Sequence, residues 1–203
     1  MTAESKKPED LREACVKEAL AIIANGGIDS LSLRDVARRL GVSHQAPYKH
    51  FPSRDHILAE VVGRAYASFA AYLEKRPRSD DPYIDLGNLG RSYLDYARKH
   101  PLHYQLMFGT PLPNSAEHPE MMVKAEHAFA TLRETIARLP HHTSQGDVDL
   151  DALFTWSVVH GLASILQTRA TQQLGLRKAT ITEATAHTLG RIADALGGSN
   201  RRR

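Results

Sequence analysis

His44, Gln45, Tyr48, Lys49, His50 and Arg54 lie close together in one short stretch of the chain. An amide that can pair with an adenine edge, a phenol, two imidazoles and two cations form a set suited to bases and phosphates. Over residues 32–54, Arg34, Arg38, Arg39, Lys49 and Arg54 oppose Asp35 alone, whereas the whole chain carries a formal net charge of +3. The positive excess is therefore concentrated on one segment, as phosphate neutralisation requires. Other chemistries find little support. The 11 histidines include no H-x₃-H or H-E-x-x-H spacing, and the adjacent His141 and His142 sit in a Pro/Gly-rich loop, so no metal site is expected. No G-x-G-x-x-G, Walker loop or G-x-S-x-G elbow occurs, and no catalytic residue or cofactor is assigned.

These residues need a scaffold, and the punctuation of the chain supplies one. Ser32 is placed to cap a helix running to Leu40, Gly41 to end it in the left-handed conformation, and Ser43 to cap a second helix two residues on. Ala37 leaves room for the second helix to cross the first, Val42 plugs the corner, and Phe51 anchors the end before Pro52. The expected result is a helix-turn-helix that exposes His44, Gln45, Tyr48 and Lys49, with Ala46 allowing close approach. The amides behind Ser32 and Ser43 would suit phosphate oxygens.

Gly41-Val42-Ser43-x-x-x-x-Tyr48-x-His50-Phe51-x-x-Arg54, preceded by Leu33-x-x-Val36-Ala37 and an amphipathic helix, resembles the DNA-binding domain of TetR-family transcriptional regulators over about residues 9–64. The resemblance implies that Tyr48, His50 and the start of the helix containing Arg54 grip phosphates. It also implies that His44, Gln45, Ala46 and Lys49 face bases or the adjacent backbone. Two positions depart from the family pattern. Pro47 stands where an apolar residue with an N–H is usual, and Arg54 stands where lysine is commoner.

The 203 residues suffice for one or two domains with a real core; 42% are hydrophobic and 24% charged, a globular balance. The single Cys15 offers no internal disulfide, and no apolar run is long enough to span a membrane or to lead a secretory signal, so a cytoplasmic protein is expected. Apolar spacing favours an all-α fold of about nine helices. Cys15, Ala19 and Ile22 mark the first, and a stripe from Ile57 to Leu73 marks a long helix over 53–76. Others are expected at 82–100, 101–108, 118–139, 149–173 and 180–196. The organisation expected is a DNA-binding domain at 9–64, the bridging helix 53–76 and a regulatory domain at 80–198. Residues 1–8 and 199–203, the latter including Arg201, Arg202 and Arg203, are expected as flexible tails.

In the second half, Tyr93-x-x-Tyr96-x-x-x-His100-Pro101 and Trp156-x-x-Val159-His160-Gly161 resemble a Trp-x-x-Val-His-Gly branch of TetR-type regulatory domains. That resemblance implies a homodimer through the last two long helices and a small-molecule site in each subunit, the protein acting on a palindromic duplex operator. Tyr93, Tyr96, Tyr104, Met107, Phe108, Met122, Phe129, Trp156 and His160 are the candidate lining of a mostly apolar effector site. Ser157, Gly161, Ser164, Thr188 and Ile192 are the candidate dimer contacts. The residues alone leave two alternatives open: a helical ligand-binding protein or enzyme whose hairpin is scaffold, and a DNA-binding protein without an effector.

Overall fold

The structure is a computed structural model that describes residues 10–109, 112–140, 144–168 and 170–197. The tails 1–8 and 199–203, with Arg201 to Arg203, and the pair His141 and His142 lie outside the described residues. The described residues are helical, with nine α-helices and no strand: α1 (Leu11–Gly26), α2 (Leu33–Leu40), α3 (Arg54–Glu74), α4 (Pro82–Lys99), α5 (Pro101–Phe108), α6 (Pro119–Ala137), α7 (Gln145–Gln167), α8 (Ala170–Gln173) and α9 (Lys178–Gly197). The all-α expectation holds, with helix ends close to those read from the sequence. One expected helix, 149–173, is instead broken. The Thr168 amide and hydroxyl both donate to the Ile165 carbonyl, closing α7 and leaving α8 as a single turn.

The chain packs as two compact units. The first takes in residues up to Ala65 together with Leu106–Val123, a segment expected with the body of the protein. Asp10 caps α1 by accepting from the Arg12 amide at 3.1 Å, and the buried side of α1 is Cys15, Val16, Ala19, Ile22 and Ile23. Leu31, Leu33, Val36, Ala37, Phe51, Ile57, Leu58 and Val62 complete this core. Ion pairs tie the helices around it: Arg12 to Glu60 at 2.9 Å, Arg64 to Glu13 and Glu60, and Arg39 to Glu18 at 2.9 Å.

The second unit comprises Tyr66–Gln105 and the residues from Lys124 onward, with α4, α7 and α9 packed on one another. Asp81 caps α4 by accepting from the Tyr83 and Ile84 amides, with Pro82 at the first helical position. Ser144 and Asp147 form a capping box on α7. Gly90 on α4 makes room for α9, because a methyl group there would collide with Leu189. Below these helices lies a fully buried ion pair. The Asp85 carboxylate accepts from Arg76 Nε at 3.0 Å and from Arg138 Nη1 at 2.7 Å, and Arg76 also reaches Thr135. Such a pair costs desolvation, which is offset here because both Asp85 oxygens accept hydrogen bonds and Arg76 donates from all three of its nitrogens.

Candidate nucleic-acid interface

The turn between the two short elements is built as the residues require. Ser32 Oγ accepts from the Asp35 amide at 3.0 Å and donates to its carboxylate at 2.7 Å. That donation, with Arg38, Arg39 and Arg34 nearby, holds the Asp35 carboxyl below its usual range. At the other end Gly41 takes φ 68° and ψ 26°, and the Gly41 and Val42 amides close onto the carbonyls of Arg38 and Ala37.

The second element differs from the helix expected. Residues 44–46 form a turn and Pro47–Lys49 a 3₁₀ helix. Pro47 is the cause, since it has no N–H to donate to the Ser43 carbonyl. That carbonyl instead accepts from Ala46 at 2.9 Å, and the tighter register continues from Lys49 to Ala46 and from His50 to Pro47. Ser43 therefore caps no α-helix here. Pro47 and Phe51 are buried against the core, and the Arg12 guanidinium lies over the Phe51 ring at 5.3 Å. With the apolar side so anchored, Ser43, His44, Gln45, Tyr48, Lys49 and His50 are all exposed and Ala46 is half-buried.

Arg54 departs from its expected role. Its Nε donates to the Leu31 carbonyl at 3.0 Å and its Nη2 to the Ile28 carbonyl at 2.6 Å, so the guanidinium closes the 3₁₀ turn Ile28–Ser30 against the start of α3. It is correspondingly less available to a phosphate. The neighbouring cations on α2 are partly committed as well, Arg38 to Asp35 at 2.6 Å and Arg39 to Glu18. Arg34, counted in the charge but not singled out as a contact, is exposed on the first turn of α2. Its place two residues after the capping serine was the signal available. Ser53, also not singled out, caps α3: its hydroxyl lies 2.8 Å from His56 Nδ1 and accepts weakly from the His56 amide.

In the second unit, five of the nine effector candidates come together. Tyr93 and Tyr104 place their hydroxyls 2.9 and 2.8 Å from His160 Nδ1, and Trp156 sits edge-on to His160 with Phe129 beyond it. Burial pushes both phenols up and the His160 imidazole down, so all three are neutral near pH 7. Tyr96 belongs to a neighbouring group, its hydroxyl 2.9 Å from His103 Nδ1. Met107, Phe108 and Met122 fall in the first unit.

The dimer candidates divide. Ile192 is 3% exposed, and with Leu189 and Leu196 it forms the inner side of α9, so it is not available to a partner. Ser164 lies 3.3 Å from the Tyr104 hydroxyl and faces inward. Thr188 is half-buried. Ser157 is exposed, and Gly161 has open space where a Cβ would project. Leu150, Leu153, Phe154 and Ile165 are exposed on that same side of α7. No described helix is long and apolar enough to cross a membrane, and no group of three metal-ligating side chains occurs among the described residues.

Comparison with known proteins adds to this geometry. Residues 16–61 match the family profile described as bacterial regulatory proteins, tetR family, and residues 86–191 match that of the tetracyclin repressor-like C-terminal domain. The HTH-type transcriptional regulator Rv1816 of Mycobacterium tuberculosis is 29% identical over 99 residues, a stretch that is 46% of this chain and 42% of that protein's length. The uncharacterized HTH-type transcriptional regulator Rv0681 of the same species is 28% identical over 162 residues, 77% of this chain and 70% of the relative. Among solved structures, regulatory protein SCO4313 superposes with a TM-score of 0.73 at 24% identity, covering 93% of this chain and 95% of that one. The TetR family regulator PfmR of Thermus thermophilus superposes with a TM-score of 0.60 at 20% identity over 92% of this chain and 99% of that one. These two likenesses bear on the fold. The C-terminal profile alone takes in just over half of the 203 residues, and with the N-terminal match it establishes that this chain belongs to the TetR family of transcriptional regulators.

Proposed function

We propose that the chain is a cytoplasmic, homodimeric transcriptional repressor that reads a palindromic operator and is released by a small, uncharged, mostly apolar effector. The observation that carries the DNA-reading part is the row Ser43, His44, Gln45, Tyr48, Lys49 and His50, all exposed on one element whose other side is sealed by Pro47 and Phe51. Gln45 reads a base edge, Tyr48, Lys49, His50 and Arg34 hold phosphates, and Arg54 keeps the element in place from behind. DNA binding is assigned to residues 9–64 and effector binding and dimerisation to 80–198, with the two linked through α3.

The effector reading is supported by Tyr93, Tyr104 and His160, three neutral polar groups gathered among aromatic rings. The ring contact of Trp156 with His160 also supports the Trp-x-x-Val-His-Gly branch. For the dimer, the exposed side of α7 from Leu150 to Ile165, with Ser157 and Gly161 in its middle, supports an isologous contact with a second copy. Half-sites about one helical turn of DNA apart, or a small multiple of that, follow from such a dimer. An effector that favours a form with the two reading elements wrongly spaced lowers operator affinity by its differential affinity for that form.

The test is selection of duplexes from a random pool by the purified protein at two salt concentrations. Enrichment of a palindrome supports the operator reader. Salt-sensitive retention without an enriched sequence overturns it.

A further inference from the structure

The element after Gly41 is a single 3₁₀ turn, too short to hold its own position, so what it rests on decides how its exposed side chains are presented. Its inner end is Phe51, 2% exposed, whose amide donates to the Pro47 carbonyl at 2.9 Å. Over the face of that ring, 5.3 Å from its centroid, lies the guanidinium of Arg12 in the first turn of α1. Arg12 is itself fixed by α3. Its Nη2 donates to Glu60 Oε2 at 2.9 Å and its Nη1 to Oε1 at 3.4 Å, a two-pronged grip. Glu60 Oε1 also accepts from Arg64 Nε at 2.8 Å, and Arg64 returns to α1 by donating from Nη1 to Glu13 at 2.7 Å. Arg12, Glu60, Arg64 and Glu13 therefore link α1 and α3 through a chain of ion pairs, and the aromatic anchor of the exposed row lies against one member of it.

We propose that Arg12 is a positioning residue for base reading: gripped by Glu60, it holds Phe51, and with it the backbone of 47–51, at the setting from which Gln45 meets a base edge, without itself touching DNA. This role rests on the assignment of base reading to Gln45 and its exposed neighbours. A planar guanidinium can offer its edge to a carboxylate and its face to a ring at the same time, which an ammonium cannot. Arg54, the other brace, donates to the carbonyls of Ile28 and Leu31 and so acts at the start of α3, whereas Arg12 acts on the anchor of the row itself.

The role carries a particular signature. A paired amide on a base edge tolerates only about half an ångström of misplacement, so a shifted anchor costs discrimination between base pairs. A lysine on a phosphate is a point charge on a flexible stem and follows the shift, so non-specific binding survives. The charge of Arg12 adds little to that binding, because Glu60 neutralises it at 2.9 Å.

The test is competition binding by the full-length protein, at a temperature where far-UV circular dichroism shows each variant folded. The probes are a duplex selected from the random pool, the same duplex changed at the base pair that Gln45→Ala ceases to distinguish, and a scrambled duplex. Wild-type protein should prefer the first to the second by about tenfold, the order of one bidentate base contact. Arg12→Met keeps the apolar stem and removes the fork; it should cut that preference below about threefold and leave the affinity for the scrambled duplex and its salt slope unchanged. An undiminished preference in Arg12→Met overturns the role, even if the variant is less stable. Equal weakening on all three duplexes, with the salt slope reduced by about one, makes Arg12 a phosphate contact and also overturns it. Should Arg12→Met not fold, Arg12→Lys decides on the same duplexes: it keeps a charge opposite Glu60 without the flat face, so a reduced preference supports the role and an undiminished one overturns it. If the wild type enriches no duplex, or Gln45→Ala relaxes no base pair, base reading falls and this role with it, a failure told apart because it shows before Arg12 is changed.

Discussion

At the scale of single residues, the structure divides the basic segment into side chains that face outward and side chains that brace them. Lys49 and Arg54 look equivalent in sequence and are not. Lys49→Ala should weaken binding to all duplexes alike and reduce the salt slope by about one, with no change in melting temperature. Arg54→Ala removes two charge-assisted bonds to the carbonyls of Ile28 and Leu31 and should cost about 2–4 kcal/mol, seen in thermal or denaturant unfolding of the free protein. If Arg54→Ala leaves stability unchanged and weakens DNA binding alone, the bracing role is wrong. Gln45→Ala should relax preference at one base pair by about 1–3 kcal/mol, measured by competition between duplexes differing at that pair. The exposed row was legible in the residues themselves, because cap, glycine and aromatic anchor fix which side of a short element faces out. The use of Arg54 was not legible. Its partners are carbonyls 23 and 26 positions earlier, and a backbone acceptor leaves no mark in sequence.

At the scale of elements, the cap of α2 was readable in Ser32, whereas the capping box of Ser144 and Asp147 starts α7 four residues before the start expected at 149. The element after Gly41 differs from the helix expected for a definite reason. Pro47 deletes one donor, and a short helix with few bonds turns to 3₁₀ geometry when one is lost. The α4–α9 relation is fixed by contacts with no local signal. Gly90→Ala should destabilise the second unit by about 1–3 kcal/mol through overpacking against Leu189, whereas Gly161→Ala, which meets open space, should not. Asp85→Ala should be more costly still, about 3–5 kcal/mol, because Arg76 would remain buried without its partner; chemical unfolding curves give both values. In the first unit, burial works against the charge on Glu60, but hydrogen bonds from Arg12 and Arg64 outweigh it and hold the carboxyl below its ordinary value of 4.5. A depressed carboxyl contributes stability above its ordinary value and loses it as pH falls. Glu60→Gln should therefore reduce the dependence of melting temperature on pH below about 4.5.

At the scale of the whole molecule, the exposed apolar side of α7 is the feature that most needs a partner. Phe154→Asp on this face should convert a dimer to a monomer by light scattering, leave far-UV helicity unchanged and weaken binding to a full palindrome far more than to a half-site. A dimer unaffected by Phe154→Asp would move the contact elsewhere. The division of the chain carries a consequence for anyone who would recombine such regulators. Because Leu106–Val123 is part of the first unit, that unit is not a contiguous cassette that can be cut out within α3. A chimera joined there would bring a foreign 106–123 segment to a surface shaped for this one, with His56 facing a mismatched neighbour. Grafting the first unit onto another protein should therefore succeed when that segment travels with it and give poorly folded hybrids when it stays behind, so the transferable module has two stretches of sequence and three splice points.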